Sequence, residues 1–350
     1  MPSPVTMADI ARRAGVSVAT VSMSLRNKPN IPPATRGRIT TLARRLGYQP
    51  NPFVSALMRS RRRGQPLSSR PILALVCTTD RADGWRNSPF TTFRLMREGA
   101  RERAARYGYQ AQEFWLHEAG MSPARFSHML YTRGIQGLLL GPNIEGTPPP
   151  GLEWTYFSTV RIGMPLAAPA VPTICNDNFL ASVTAIEECH RRGYRRPGLV
   201  LEHAQNLRLQ RRWEGGFYAG RLNFPDLAML EPLILEGWPT LPAFQRWLKQ
   251  QKPDVIITPF PDKLHSLLES LDRRVPGDVG LAHLACSENS SKYSGIYQNG
   301  RLIGATAVEV LVSMVEHHEK GLPVQAVTSM VEGVWNTGAT LRPLPAASSK

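Results

Sequence analysis

Apolar positions in the first fifty residues recur with a helical period. Ile10 and Ala14 fall on one face, with Val16 and Val21 following a glycine at position 15. Farther on, Ile39, Leu42, Ala43 and Leu46 repeat every three to four residues. The pattern predicts three short helices. Thr6-Met7-Ala8-Asp9 has the form of a capping box that opens the first. Gly15 ends it, because a tight turn needs positive φ and glycine tolerates it. Ser17 is a natural N-cap for a second helix from Val18 to about Leu25. Pro32-Pro33 suits the first turn of the third helix, and Gly47 its stop. Small Ala11, three residues, then Gly15 is the spacing of a helix-turn-helix, in which two helices cross closely.

Beyond position 70 the pattern changes. Residues 71–77 form a continuous apolar run, as a buried parallel strand does. Helical spacing follows at Phe93, Met96, Ala100 and Ala104, then a strand over 109–115, a helix over 126–131 and a strand over 135–140. The alternation resumes from Ile174. A helix carries Ala181, Ala185 and Cys189, and another runs from Arg212 to Leu222. Apolar runs at 197–201, 232–235, 253–258 and 279–284 read as strands. Strands alternating with helices imply doubly wound α/β layers, here as two similar lobes. Gly300 and Gly304 share a helix face and read as a packing feature.

Charge divides the chain at the same place. The net charge is +15 over 350 residues, but residues 1–70 hold thirteen basic side chains against one acidic one, Asp9. The remaining 280 residues hold 29 and 26, close to neutrality. A nearly acid-free helical head needs a polyanion partner, nucleic acid or an anionic membrane surface. No apolar run is long enough to span a bilayer, and the early polar residues do not form a signal peptide, so a cytoplasmic protein is expected. The four cysteines form no CxxC and the histidines no HExxH. Neither a P-loop nor GxGxxG is present. No metal, no cofactor and no catalysis are expected.

The run from Val5 to Ser22, VTMADIARRAGVSVATVS, resembles the headpiece of the lac-repressor (LacI/GalR) family of bacterial transcription regulators. Leu46 to Pro52 is similar to that family's junction into its hinge. The resemblance implies an all-α helix-turn-helix headpiece over 1–50, a hinge helix and basic linker over 51–70, and an α/β two-lobed effector domain over 71–342, like periplasmic binding proteins. Lobe one then takes about 71–160 and 292–323, and lobe two about 163–290 and 324–342. Val18 and Ala19 would open the recognition helix, with Thr6, Ser17, Thr20, Ser22, Arg26 and Asn27 in reach of phosphates or bases. Met23 stands where the family commonly has an arginine, so it offers only apolar contact. Asn51 begins the hinge, and Leu57 matches the leucine that wedges into the minor groove. The alternative makes Leu57 a core residue of a linker helix.

In the body the resemblance implies effector contacts at Arg212, Trp238, Asp262 and Gln298. Alternatively, Arg212 is a surface charge and Trp238 a core residue. His283-Leu284-Ala285-Cys286 replaces the family's usual acidic segment after the last strand. The implied function is a homodimeric regulator, in the family's commoner form a repressor. It would bind double-stranded operator DNA under control of a small effector, a sugar or related metabolite. The alternative is a solute-binding protein of the same body fold, without gene regulation.

Overall fold

The computed structural model describes residues 7–25, 31–46, 70–118, 120–143, 151–164, 169–237, 240–286 and 292–345. Thr6, Arg26, Asn27, Asn51, Leu57, Trp238 and the Gly47 stop lie outside them, as does the hinge. The chain divides into two units, Met1–Ser69 and Arg70–Lys350.

The first unit has helices α1 (Met7–Ala14), α2 (Val18–Leu25) and α3 (Pro33–Arg45). Gly15 takes φ +65°, and the Val16 amide donates to the Ala11 carbonyl at 3.1 Å, closing the turn. The Ser17 hydroxyl accepts from the Thr20 amide at 3.0 Å, the N-cap expected of it. One fully buried residue from each helix, Ile10, Val21 and Ile39, meets at the centre, with small Ala11 and Ala14 allowing close approach. So small a core gains little from burial, and the cap and turn matter correspondingly.

The second unit has two sheets. In the first lobe β1 (Ile72–Cys77), β2 (Gln110–Trp115), β3 (Gly137–Leu140), β4 (Ser158–Ile162), β5 (Thr173–Asn176) and β11 (Thr328–Val331) are all parallel, in the order β11-β5-β4-β3-β1-β2. Helices α4 (Thr91–Arg106) and α5 (Pro123–Thr132) lie between its strands. The second sheet orders β12 (Val334–Asn336), β10 (Ser294–Tyr297), β9 (Gly280–Cys286), β8 (Val255–Thr258), β6 (Pro197–Glu202) and β7 (Leu233–Leu235). Only β12 runs antiparallel. Its helices are α6 (Asn178–Arg191), α7 (His203–Arg208), α8 (Arg212–Leu222), α9 (Leu241–Gln251) and α10 (Pro261–Glu269). Helix α11 (Gly300–His317) returns to the first lobe, where it joins α4 in the core around Met96, Val308 and Leu311. There the Gly300 and Gly304 pair serves packing. A Cβ at Gly304 would sit 1.8 Å from the Met96 carbonyl oxygen, and one at Gly99 would sit 2.0 Å from that of Arg301.

These sheets correct the lobe limits expected near 160, 290 and 323. Strand β5 pairs with β4 through Arg161 and Thr173, so the first lobe runs on to 176. Strand β10 lies in the second sheet and β11 in the first. The crossings therefore fall near 177, 298 and 332. Side-chain amides lace them together. Asn176 Nδ2 donates to the Gln298 carbonyl at 2.8 Å, Gln298 Nε2 to Asn178 Oδ1 at 3.4 Å, and Asn299 Nδ2 to the Glu332 carbonyl at 2.8 Å.

Candidate functional site

Each unit carries a candidate site. On α2, one turn of helix separates Ala19 from Met23, and with Thr20 they share an outward face. Ser17 and Val18 open the helix and are exposed, Val18 at 47%. Ser22 corrects the expectation made for it. It is only 6% exposed, turned in beside Val21, and so unavailable to a base edge. Arg12, Arg13, Arg38 and Arg45 are exposed around this small unit. Its described acidic residue, Asp9, is held by Arg12 at 3.5 Å.

In the second unit a cavity of about 760 Å³ opens between the lobes. It lies where chain segments leave the carboxyl ends of β3, β4, β6, β8 and β9, the crevice that parallel sheets offer to ligands. Of the four effector residues expected, Asp262 and Gln298 line it and Arg212 does not. Gln298 is 7% exposed and donates to the Leu284 carbonyl at 3.2 Å as well as to Asn178. It therefore ties the crossings while forming the floor. The Asp262 carboxylate accepts from Lys292 Nζ at 2.7 Å and the Tyr293 hydroxyl at 2.8 Å. Its pKa lies below the usual carboxylate range, first because of the Lys292 bond. Arg212 turns toward Met330 on β11, with Nη1 3.6 Å from the sulfur, and its Nε is buried without a partner.

Residues not singled out from sequence occupy the wall instead. Arg208, at the end of α7, and Trp213, in the first turn of α8, both face the cavity. Burial pushes the Arg208 guanidinium pKa down, against the attraction of Glu202. His283 on β9 also lines the cavity, and burial lowers its pKa to about 4, so it is neutral at physiological pH. Cys175, another lining residue, is a free thiol whose pKa burial raises to about 11, which leaves it protonated. No cluster of metal-ligating side chains occurs among the described residues. Among them, too, no helix is long and apolar enough to cross a membrane.

Residues 6–51 match the sequence model of bacterial regulatory proteins of the lacI family. The headpiece segment carries that family's sequence signature. The chain is 30% identical over 205 residues to the HTH-type transcriptional repressor CytR of Escherichia coli K12, covering 56% of this chain and 53% of that protein. It is 28% identical over 198 residues to the HTH-type transcriptional regulator MalR of Streptococcus pneumoniae, covering 56% and 57%. The chain thus spans about half the length of the curated relatives it matches. Among solved structures, a transcriptional regulator CelR–cellobiose complex is similar with a TM-score of 0.56 at 18% identity, covering 96% of this chain and 99% of that one. A lac repressor dimer bound to operator and the anti-inducer ONPF gives 0.55 at 15% identity, covering 97% and 100%. At those identities the likeness speaks to the fold alone, a helix-turn-helix followed by a two-lobed α/β body.

Proposed function

We propose that this chain is a sequence-specific DNA-binding transcription regulator of the lacI type, acting as a cytoplasmic homodimer, in the repressing sense common among its relatives. The observation that carries the reading is the α2 face. A serine-capped helix presents Ala19, Thr20 and Met23 outward from an almost acid-free unit, the shape and charge that a major groove accepts. Two such headpieces in a symmetric dimer would read a pseudo-palindrome. Leu57 of each hinge would enter the minor groove between them and kink the duplex.

The cavity between the lobes is the proposed effector site. An effector that binds one lobe arrangement better than another shifts the population toward it, and so changes DNA affinity. The laced crossings at 176–178, 298–299 and 332 are where that rearrangement would be felt. Binding without chemical turnover is the expected outcome at this site.

The test is selection of bound genomic fragments by the purified full chain, followed by footprinting. A shared pseudo-palindromic site is expected, with affinity falling steeply as salt rises. Leu57→Ala should reduce the bend at that site, measured by phased retardation. Recovery of fragments with no common sequence would overturn the reading.

A further inference from the structure

We infer that the interlobe cavity takes a small oxyanion, a carboxylate or phosphoryl group on a partly apolar, hydroxyl-bearing body, in preference to a neutral sugar. The inference rests on the cavity being the effector site and adds the chemical class of its occupant.

The first observation is the sign of the lining. Among the described residues it holds three cationic side chains, Arg208, Lys263 and Lys292, and one carboxylate, Asp262. One oxygen of Asp262, Oδ1, already accepts from Lys292 and Tyr293. A neutral sugar presents hydroxyl donors and is gripped best by free carboxylates; here the one described carboxylate is already half engaged, and cationic side chains outnumber it three to one. His283, neutral, adds neither sign.

The second observation is a set of unmatched donors. The Arg208 side chain makes no hydrogen bond or salt bridge within the described protein. Glu202, which attracts it, accepts instead from the Ala204 amide at 3.1 Å and the Gln205 amide at 2.6 Å, capping α7. Trp213 is only 3% exposed, and its Nε1–H is buried with no acceptor. The buried indole N–H is costly to leave without an acceptor, and the half-buried guanidinium opens on the cavity with no protein acceptor among the described residues. An oxyanion is acceptor-only and answers both, with a planar fork available from the guanidinium. Gln205 adds the complement. Its Oε1 is buried without a partner and would accept from a ligand hydroxyl.

The third observation is the opposite wall. Phe90, Phe93, Met96 and Met164 of the first lobe line the cavity, and no charged residue of that lobe does so among those described. The ligand's charged end therefore belongs against the second lobe and its apolar part against the first.

The test is thermal unfolding of the full chain at constant ionic strength with inorganic phosphate, gluconate, glucose 6-phosphate or glucose. A ligand that binds the folded state raises Tm by mass action. At least one oxyanion is expected to raise Tm above the value in glucose. Gluconate and glucose 6-phosphate separate carboxylate from phosphoryl. Arg208→Gln should weaken that oxyanion at least about tenfold in Kd, Arg208→Lys less. Trp213→Phe, which keeps the ring and removes the donor, should weaken it several-fold and so checks the site in a second well-packed variant. The proposal is overturned if glucose stabilises as strongly as every oxyanion. It is equally overturned if no oxyanion stabilises the wild type more than Arg208→Gln. Glucose stabilising wild type and Arg208→Gln equally, and at least as strongly as every oxyanion, would remove the anion and leave the cavity as a ligand site. Retardation of a selected DNA fragment by the same preparation reports on the DNA-binding reading separately.

Discussion

The two walls of the interlobe cavity are built from similar parallel sheets yet differ in chemistry. The first lobe offers aromatic and thioether surface with polar groups such as Asn143 and Thr92, and no described charge. The second holds the described charges, at Arg208, Asp262, Lys263 and Lys292, and the neutral His283. Equivalent positions at the carboxyl ends of strands thus differ in character: one wall is apolar with neutral polar groups, the other charged. On the proposed reading, a ligand that bridges them would need both ends, and lobe arrangement would be sensitive to its identity.

The difference can be broken at the first lobe's packing. Gly304→Leu forces a side chain into the Met96 backbone, where neither neighbour can yield cheaply. A loss of about 3 kcal/mol or more is expected, beyond ordinary overpacking because the obstacle is backbone, seen as a lower denaturation midpoint. An unchanged midpoint would mean that α4 and α11 are not in the contact described.

A smaller effect concerns the second lobe and pH. His283 titrates near 4 when folded, against 6.5 when free. Between those values the unfolded chain binds more protons than the folded one, so stability falls as pH drops from 6.5 toward 4. The loss is on the order of 2 kcal/mol. His283→Gln should flatten that stretch of the pH–stability curve. An unaltered slope would assign it to other groups.

Smaller again, Phe93→Leu trims the apolar wall. It should weaken charged and neutral ligands alike, by about 1 kcal/mol, in calorimetric titration. Selective loss of the anionic ligand would show that the walls are not divided as described. In the headpiece, Ser17→Ala removes the cap on α2 and should cost about 1 kcal/mol or less. It would lower the salt concentration at which DNA is released, with little change in the melting of the body.

How much of this was legible in the sequence depended on whether burial left a pattern. The runs that became β1 and β3 are apolar throughout, and both were read as strands. Strand β4 is fully buried too, yet Ser158, Thr159 and Arg161 break its pattern, because Thr159 and Arg161 are held inside the protein. Missing it, and the join through Arg161 and Thr173, displaced the first lobe boundary. The mostly exposed edge strand β11, Thr328–Val331, is too short and mixed to give a continuous apolar run. In the headpiece, helical period located α2 but not the direction in which Ser22 turns. In the cavity, Asp262 and Gln298 could be placed by resemblance. Arg208 could not, since α7 has six residues and no repeat to orient it. Its neighbour Arg212 fitted the motif, but its side chain packs against Met330.

The most direct test of a ligand-controlled DNA reader is operator retardation by the full chain across a salt series, with and without an oxyanion that raises Tm. The account predicts sequence-selective retention that weakens steeply with salt and shifts on adding the oxyanion in wild type but far less in Arg208→Gln. Retention that ignores both DNA sequence and the oxyanion would contradict it.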